Sequence, residues 1–309
     1  MKKGLFPAWI WVISAAILVG AVALLWGLHA QKLSDVKNVC DNKYSCTYDG
    51  VYHEFILCLP EQAKDAPLVL MLHGYGESAD KFKDYTRFDQ DAVPEGYAVC
   101  YITGAPNPLD HTSLRGWNSG IASGGNDDMA FLMALTDYLR KEYELNKEKL
   151  YAIGFSNGAF LVHRLAIEAG DKFTGLVSVA GKMPETMWEK REQAICTNFF
   201  QINGEKDDVV PMKSTGSYKY TKDPAIEDVI DYWVVREGLT SVEESVTDNG
   251  SVLTKYASDA SNFSVWNLWI KDGRHAWPNE SVNRISGNEY IMEFLNEVRD
   301  ANRRVSMRR

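Results

Sequence analysis

The sequence predicts an α/β protein with a mostly parallel central sheet flanked by helices. Two observations carry this. Short, doubly apolar runs such as PLVLMLHG, GYAVCYIT, KLYAIGF and FTGLVSVAG alternate with longer amphipathic stretches, the pattern of strands buried on both faces and joined through crossover helices. The alternation runs from about residue 46 to 300 without a linker, a repeat or a low-complexity tract, so one domain is expected there.

Taken in order, the chain opens with LFPAWIWVISAAILVGAVALLWGL, residues 5–28, which carry no charge. At 1.5 Å per residue these could span roughly 36 Å, enough to cross a bilayer with some tilt. A secretory signal has a shorter apolar core, and LHA before Gln31 is a poor cleavage site. Residues 1–30 therefore read as a retained signal-anchor with one transmembrane helix, Lys2 and Lys3 cytoplasmic and the rest exported. Secretion after cleavage near Ala30 is the alternative. Residues 31–45 read as a polar tether, 46–300 as the folded domain and 301–309 as a basic tail.

Within the domain, CTYDGVYHEFILCLP turns at Asp49–Gly50 and predicts a β-hairpin. Strands follow at PLVLMLHG and GYAVCYIT, with helix over residues 80–93 between them. DDMAFLMALTDYLRKEY repeats apolar residues at helical spacing. KLYAIGF then reads as strand and NGAFLVHRLAIEAG as helix. FTGLVSVAG and TNFFQING are further strands, and AIEDVIDYWVVREG is a helix stopped by Gly238. SVLTKYAS and FSVWNLWIK are late strands, and residues 281–299 form the last helix.

Composition excludes some partners. The net charge is −9 although both ends are basic, which argues against a nucleic-acid partner. Five cysteines are present; export permits disulfides, and Cys40 with Cys46, bracketing a short polar loop, is the first-choice pair. Cys100 lies inside an apolar strand and reads as a small buried hydrophobe. No cysteine–histidine spacing suggests zinc or another metal.

The chemistry concentrates where strands end. Ser156 lies between Gly154 and Gly158 at the junction of KLYAIGF and the helix after it. Strand, G-x-S-x-G and helix together are the context of a nucleophile elbow, which exposes the hydroxyl and offers the Asn157 amide to an oxyanion. A tight strand-to-helix turn would use the same glycines. A serine attacks only if a base takes its proton, and His275, in KDGRHAWP after the last strand, is the best-placed histidine. The acid that would orient it comes from QINGEKDDVVP as Asp207 or Asp208. The order serine, acid, histidine suits hydrolases built on such a sheet. His73-Gly74-Tyr75-Gly76, after another strand, would supply the second oxyanion amide from Tyr75, with His73 a structural hydrogen-bonder.

LHGYGESADKF, RGWNSG, NDDMAFLMAL, YAIGFSNGAFLVHRLA, VSVAG, INGEKDDVVP and GRHAWP together resemble the exported esterases that include polyhydroxybutyrate depolymerases, feruloyl esterases and acetylxylan esterases. The likeness runs from roughly residue 46 to 280. It implies an α/β-hydrolase fold, a cofactor-free serine mechanism, and Asp207 rather than Asp208 as the acid. Family members usually carry histidine where this chain has Asn203, outside the triad. The resemblance also places Trp117 near the substrate cleft; Trp117 and Trp277 are candidate substrate walls, and a core role would suit either equally.

The expectation is thus a serine carboxylic-ester hydrolase acting through an acyl-enzyme on feruloyl or acetyl esters of plant cell-wall polysaccharide fragments. Polyhydroxyalkanoate oligomers are the alternative substrate. A peptidase on the same fold is a weaker alternative, and a non-catalytic polysaccharide-binding module on a hydrolase fold is the reading from another class.

Overall fold

The computed structural model describes residues 33–106, 113–121, 125–212 and 222–306. The signal-anchor over residues 5–28 and the cleavage point near Ala30 lie outside them. Eleven strands form one sheet among the described residues. They are β1 (Leu33–Cys40), β2 (Lys43–Tyr48), β3 (Val51–Cys58), β4 (Leu68–Leu72), β5 (Ala98–Thr103) and β6 (Leu150–Phe155), then β7 (Gly175–Val179), β8 (Phe199–Gly204), β9 (Ser241–Val246), β10 (Val252–Ala257) and β11 (Val265–Ile270). Their order across the sheet is β1-β2-β3-β5-β4-β6-β7-β8-β11-β10-β9.

The sheet is mixed rather than mostly parallel. β5, β4, β6, β7, β8 and β11 pair in parallel, whereas β1, β2 and β3 on one flank and β9 and β10 on the other add antiparallel pairs. Crossover helices connect the central strands. At the flanks, short turns such as Asp49–Gly50 return the chain at once, and a return that short must be antiparallel.

Helices take both faces. On one side lie α3 (Asp128–Glu142), α4 (Asn157–Ala169) and α6 (Ile226–Arg236); on the other lie α1 (Ala79–Thr86), α2 (Phe88–Ala92) and α8 (Gly287–Ser306). The short helices α5 (Glu185–Trp188) and α7 (Glu280–Asn283) cap loops. Strand alternation divides the core between the faces. Leu68, Leu70 and Leu72 of β4 point towards α3 and α4, and Val69 and Met71 towards α1 and α8. Each branched side chain buried this way stabilises the fold by roughly 1.5–3 kcal/mol.

The structure revises several sequence expectations. Residues read as part of a polar tether instead form β1, paired with β2 from Leu33↔Tyr48 to Cys40↔Lys43. This edge strand is polar because most of its side chains meet solvent, and only Leu33 and Val36 lean on the core. β9, SVEESV, was not expected because all six residues are exposed. Residues 80–93 split into α1 and α2 at Arg87, which adopts a left-handed conformation (φ 49°). The last helix is broken at Arg284 (φ 55°) into α7 and α8, and α8 continues through Ser306 into the stretch read as a basic tail. All five cysteines are free thiols, with Cys40 exposed and Cys46 turned into the core.

Candidate active site

The parallel strands all deliver their carboxyl ends to one edge of the sheet, where loops carry the polar residues. At the end of β6, Ser156 holds φ 51° and ψ −115°, a conformation non-glycine residues rarely adopt and one that costs on the order of 1–3 kcal/mol. The flanking glycines make it possible. A Cβ on Gly154 would lie 2.2 Å from the Gly158 carbonyl oxygen, and one on Gly158 would lie 2.1 Å from that of Leu72. α4 therefore starts with its backbone against β4 and β6, and the chain turns inside a gap that no side chain could share. The Ser156 amide donates to Val179 O at 3.0 Å and fixes the turn to β7.

The structure brings Ser156, Asp207 and His275 together. Ser156 Oγ lies 2.9 Å from His275 Nε2, and His275 Nδ1 lies 2.8 Å from Asp207 Oδ2. An ionised carboxylate only accepts, so this contact places the imidazole proton on Nδ1 and leaves Nε2 to accept from the hydroxyl. The Asp207 side chain is fully buried; its other oxygen accepts from the amides of Val209 at 2.9 Å and Val210 at 2.7 Å. Asp208, next along the chain, is exposed. The two loops are clamped backbone to backbone: Lys206 N donates to Gly273 O at 2.7 Å, and a Cβ on Gly204 would lie 2.3 Å from that same oxygen.

His73 is completely buried. Its Nδ1 donates to Gly74 O at 2.6 Å and its Nε2 accepts from Gly104 N at 2.9 Å. Burial pushes its pKa down to about 4, so it holds the loop as a neutral ring. That loop passes directly over the serine, because a Cβ on Gly74 would be 3.5 Å from Ser156 Cβ. Tyr75 and Asn157 both flank Gly116, where a Cβ would lie 3.1 Å from the Tyr75 ring and 3.0 Å from Asn157 Oδ1. His53 and His163 are also buried, with pKa values pushed down by desolvation to about 4 and about 3.

Trp117 and Trp277 are not cleft walls. Trp117 is only 4% exposed; its indole N–H donates to His73 O at 2.9 Å, and its amide donates to Asn157 Oδ1 at 2.7 Å. Trp277 is 1% exposed, packs edge-on against Phe82 and donates through its indole to Asn288 at 3.0 Å. Each ring finds a polar partner as well as apolar cover, which satisfies its one donor and removes it from solvent. Among the aromatic and aliphatic groups that do meet solvent here are Val209, Tyr75, Tyr85 and Leu114. Sequence reasoning missed the last two, for neither belongs to a motif.

A further residue escaped it. Asp128 begins α3 and is buried, yet Asp127 beside it serves as the exposed N-cap that accepts from Ala130 N at 3.1 Å. Asp128 Oδ2 accepts from Asn118 N at 2.6 Å, and Arg164 of α4 donates to Asn118 O at 2.8 Å. The segment 116–118, which holds Asn157, is thus itself held by α3 and α4. Desolvation pushes the Asp128 pKa up to about 7, against the opposing pull of the Asn118 amide and Arg164. Among the described residues no cluster of three or more His, Cys, Asp or Glu side chains could hold a metal ion.

Residues 54–218 match the family described as Esterase PHB depolymerase. The chain belongs to this family. Curated relatives carry esterase names as well. A putative esterase, NocK, from Nocardia uniformis subsp. tsuyamanensis is 31% identical over 137 residues, covering 43% of this chain and 38% of the relative. The bifunctional acetylxylan esterase/xylanase XynS20E of Neocallimastix patriciarum is 24% identical over 48% of this chain and 20% of its own length. A probable feruloyl esterase C of Aspergillus clavatus is 24% identical over 53% and 61%. The match thus spans less than two thirds of each of these relatives. Among solved structures, the acetyl xylan esterase from Aspergillus awamori superposes with a TM-score of 0.60 at 11% identity, covering 86% of this chain and 99% of that one. Esterase PE8 gives 0.53 at 17% identity, over 78% and 97%. At such identities the likeness shows the α/β-hydrolase fold of this esterase family.

Proposed function

We propose that the chain is a serine carboxylic-ester hydrolase that works through an acyl-enzyme. The observation that carries this is the unbroken Ser156–His275–Asp207 hydrogen-bonded line at the carboxyl edge of the sheet. In this reading His275 Nε2 takes the hydroxyl proton as Ser156 Oγ attacks the ester carbonyl. Buried Asp207 stabilises the imidazolium and keeps its orientation. The oxyanion is held by the amides of Asn157, at the start of α4, and Tyr75, whose loop lies over the serine. Loss of one such donor costs on the order of 3 kcal/mol of transition-state stabilisation. The alcohol leaves with the proton from His275, and a water deprotonated by the same ring then releases the acyl group.

The proposed substrates are feruloyl or acetyl esters of cell-wall polysaccharide fragments, a choice supported by the acetylxylan and feruloyl esterases among the relatives. Hydroxyalkanoate oligomers are the second reading, favoured by the family description. We further propose that residues 5–28 anchor the catalytic domain on the exported side of a membrane, and that 33–306 act as one catalytic unit. Purified full-length protein and Ser156→Ala would be compared on methyl ferulate, acetylated xylo-oligosaccharides and hydroxybutyrate oligomers. Turnover of one class, lost with the alanine, is the expected result. Turnover that survives the alanine overturns the serine mechanism, and silence of the folded wild type on all three overturns the substrate assignment.

A further inference from the structure

The point at which the chain enters the fold has a defined position relative to the active site. β1 starts at Leu33, which pairs with Tyr48, and Tyr48 pairs with Val51 at the start of β3. β3 runs antiparallel to β5, with Glu54 opposite Thr103, the last residue of β5. Leu33 therefore lies at the carboxyl edge of the parallel strands, the edge that bears Ser156, Asp207 and His275. Five strand spacings, about 24 Å, separate β1 from β6 across the sheet.

The sequence leaves only residues 29–32 between the uncharged segment 5–28 and Leu33. Fully extended, four residues reach about 14 Å, less than the width of the sheet from β1 to β6. A domain anchored through residues 5–28 therefore sits against the bilayer rather than away from it. Sheet twist of roughly 20–25° per strand pair turns β1 well away from the direction of β6, so the shared edge alone does not decide which surface meets the lipid.

The exposed side chains do. Tyr52 near the start of β3, Tyr75 in the loop leaving β4, Leu114 and Ile121 in the loop leaving β5, and Val209 in the loop leaving β8 are 43–55% exposed, and each belongs to a segment that starts from the carboxyl edge. Single exposed apolar residues are ordinary; five in the segments that start from the edge where the chain enters offer repeated apolar contact on that side. Tyrosines interleaved with aliphatic side chains suit the headgroup region, where a ring can sit among acyl carbons with its hydroxyl in water.

We propose that the rim formed by Tyr52, Tyr75, Leu114, Ile121 and Val209 rests on the bilayer that residues 5–28 cross, so that Ser156 opens towards the membrane surface. This rests on the anchor reading of residues 5–28 and is independent of which ester is cleaved. It implies that substrate is met within the headgroup layer or just above it, and that esters presented far from the membrane reach the serine poorly.

The test uses the full chain in phosphatidylcholine–phosphatidylglycerol vesicles. Cys40, Cys58 and Cys196 are replaced by serine, and single reporters are placed by Leu114→Cys, Ile121→Cys, Ile195→Cys or Val235→Cys. Ile195 precedes β8 at the opposite edge, and Val235 is 80% exposed on α6. Each thiol carries a bimane label, and lipids spin-labelled at the headgroup act as quenchers. Quenching several-fold stronger at 114 and 121 than at 195 and 235 is the expected result. Equal quenching at all four overturns the proposal, as does protein that does not float with the vesicles. Hydrogen exchange on the unsubstituted chain supplies a second readout that needs no variant: amides of residues 113–121 should exchange more slowly in vesicles than in detergent, while those of 194–197 are unchanged. Neither readout uses ester turnover, so an inactive protein would leave this result standing.

Discussion

The burial of Asp128 makes a prediction that can be worked through in numbers. Its pKa is raised from 3.8 to about 7 in the folded protein, chiefly by desolvation. The groups acting on it are the Asn118 amide and Arg164, which oppose the shift, and Asp127, which adds to it. A carboxyl whose folded pKa exceeds its unfolded one favours the fold when protonated. Its contribution is full below pH 3.8 and is lost as the pH rises through 7. With these two pKa values, linkage gives about 2–3 kcal/mol at pH 5 and almost nothing at pH 8. Asp128→Asn keeps an oxygen for the Asn118 amide but cannot ionise. The stability of the variant minus that of wild type should therefore rise by about 2–3 kcal/mol between pH 5 and pH 8. Urea unfolding of both proteins at pH 5, 6, 7 and 8 measures this, because every other titrating group cancels in the difference. Parallel stability curves would refute the reasoning and show that Asp128 remains an ordinary ionised aspartate in the fold.

Other outcomes follow from the same geometry. Asp207→Asn should leave the fold intact and lower kcat/KM by roughly 10⁴-fold, since an amide in that place can hold His275 in the wrong tautomer; a comparable loss in Asp208→Asn, read in the same ester assay, would move the acid to the neighbouring residue. Trp117→Phe strands the buried His73 carbonyl and should cost about 1–3 kcal/mol in urea unfolding, while KM for short acyl esters stays near wild type. A large rise in KM with unchanged stability would return Trp117 to the cleft wall.

What could be read from the sequence follows from where the physics is local. The serine, acid and histidine each end an apolar strand, and G-x-S-x-G states its own backbone requirement, so Ser156, His275 and an acid at 207 or 208 could be read from the residues, while only the family resemblance preferred Asp207. The flanks of the sheet were not. β1 and β9 are edge strands whose side chains mostly face water, so neither carries the apolar run that marks a central strand. Trp117 and Trp277 were ambiguous because a tryptophan beside glycine or proline looks the same whether its ring lines a cleft or closes one; only the partners of their indole N–H groups decide. Asp127 and Asp128 are adjacent and chemically identical, and one turn of backbone makes the first a cap and the second a buried support.

The contact between the backbones of Gly158 and Leu72 has a consequence for how this protein tolerates change. Along most of the core, helix and strand are separated by a layer of side chains that can be enlarged, trimmed or rotated, and the separation adjusts with them. At the start of α4 there is no such layer: peptide meets peptide, and the spacing is set by atoms that every sequence shares. Substitutions among the leucines further along α4 can tilt or loosen the far end of that helix, but its first turn is a fixed pivot. The position of the Ser156 hydroxyl is thereby decoupled from the composition of the core.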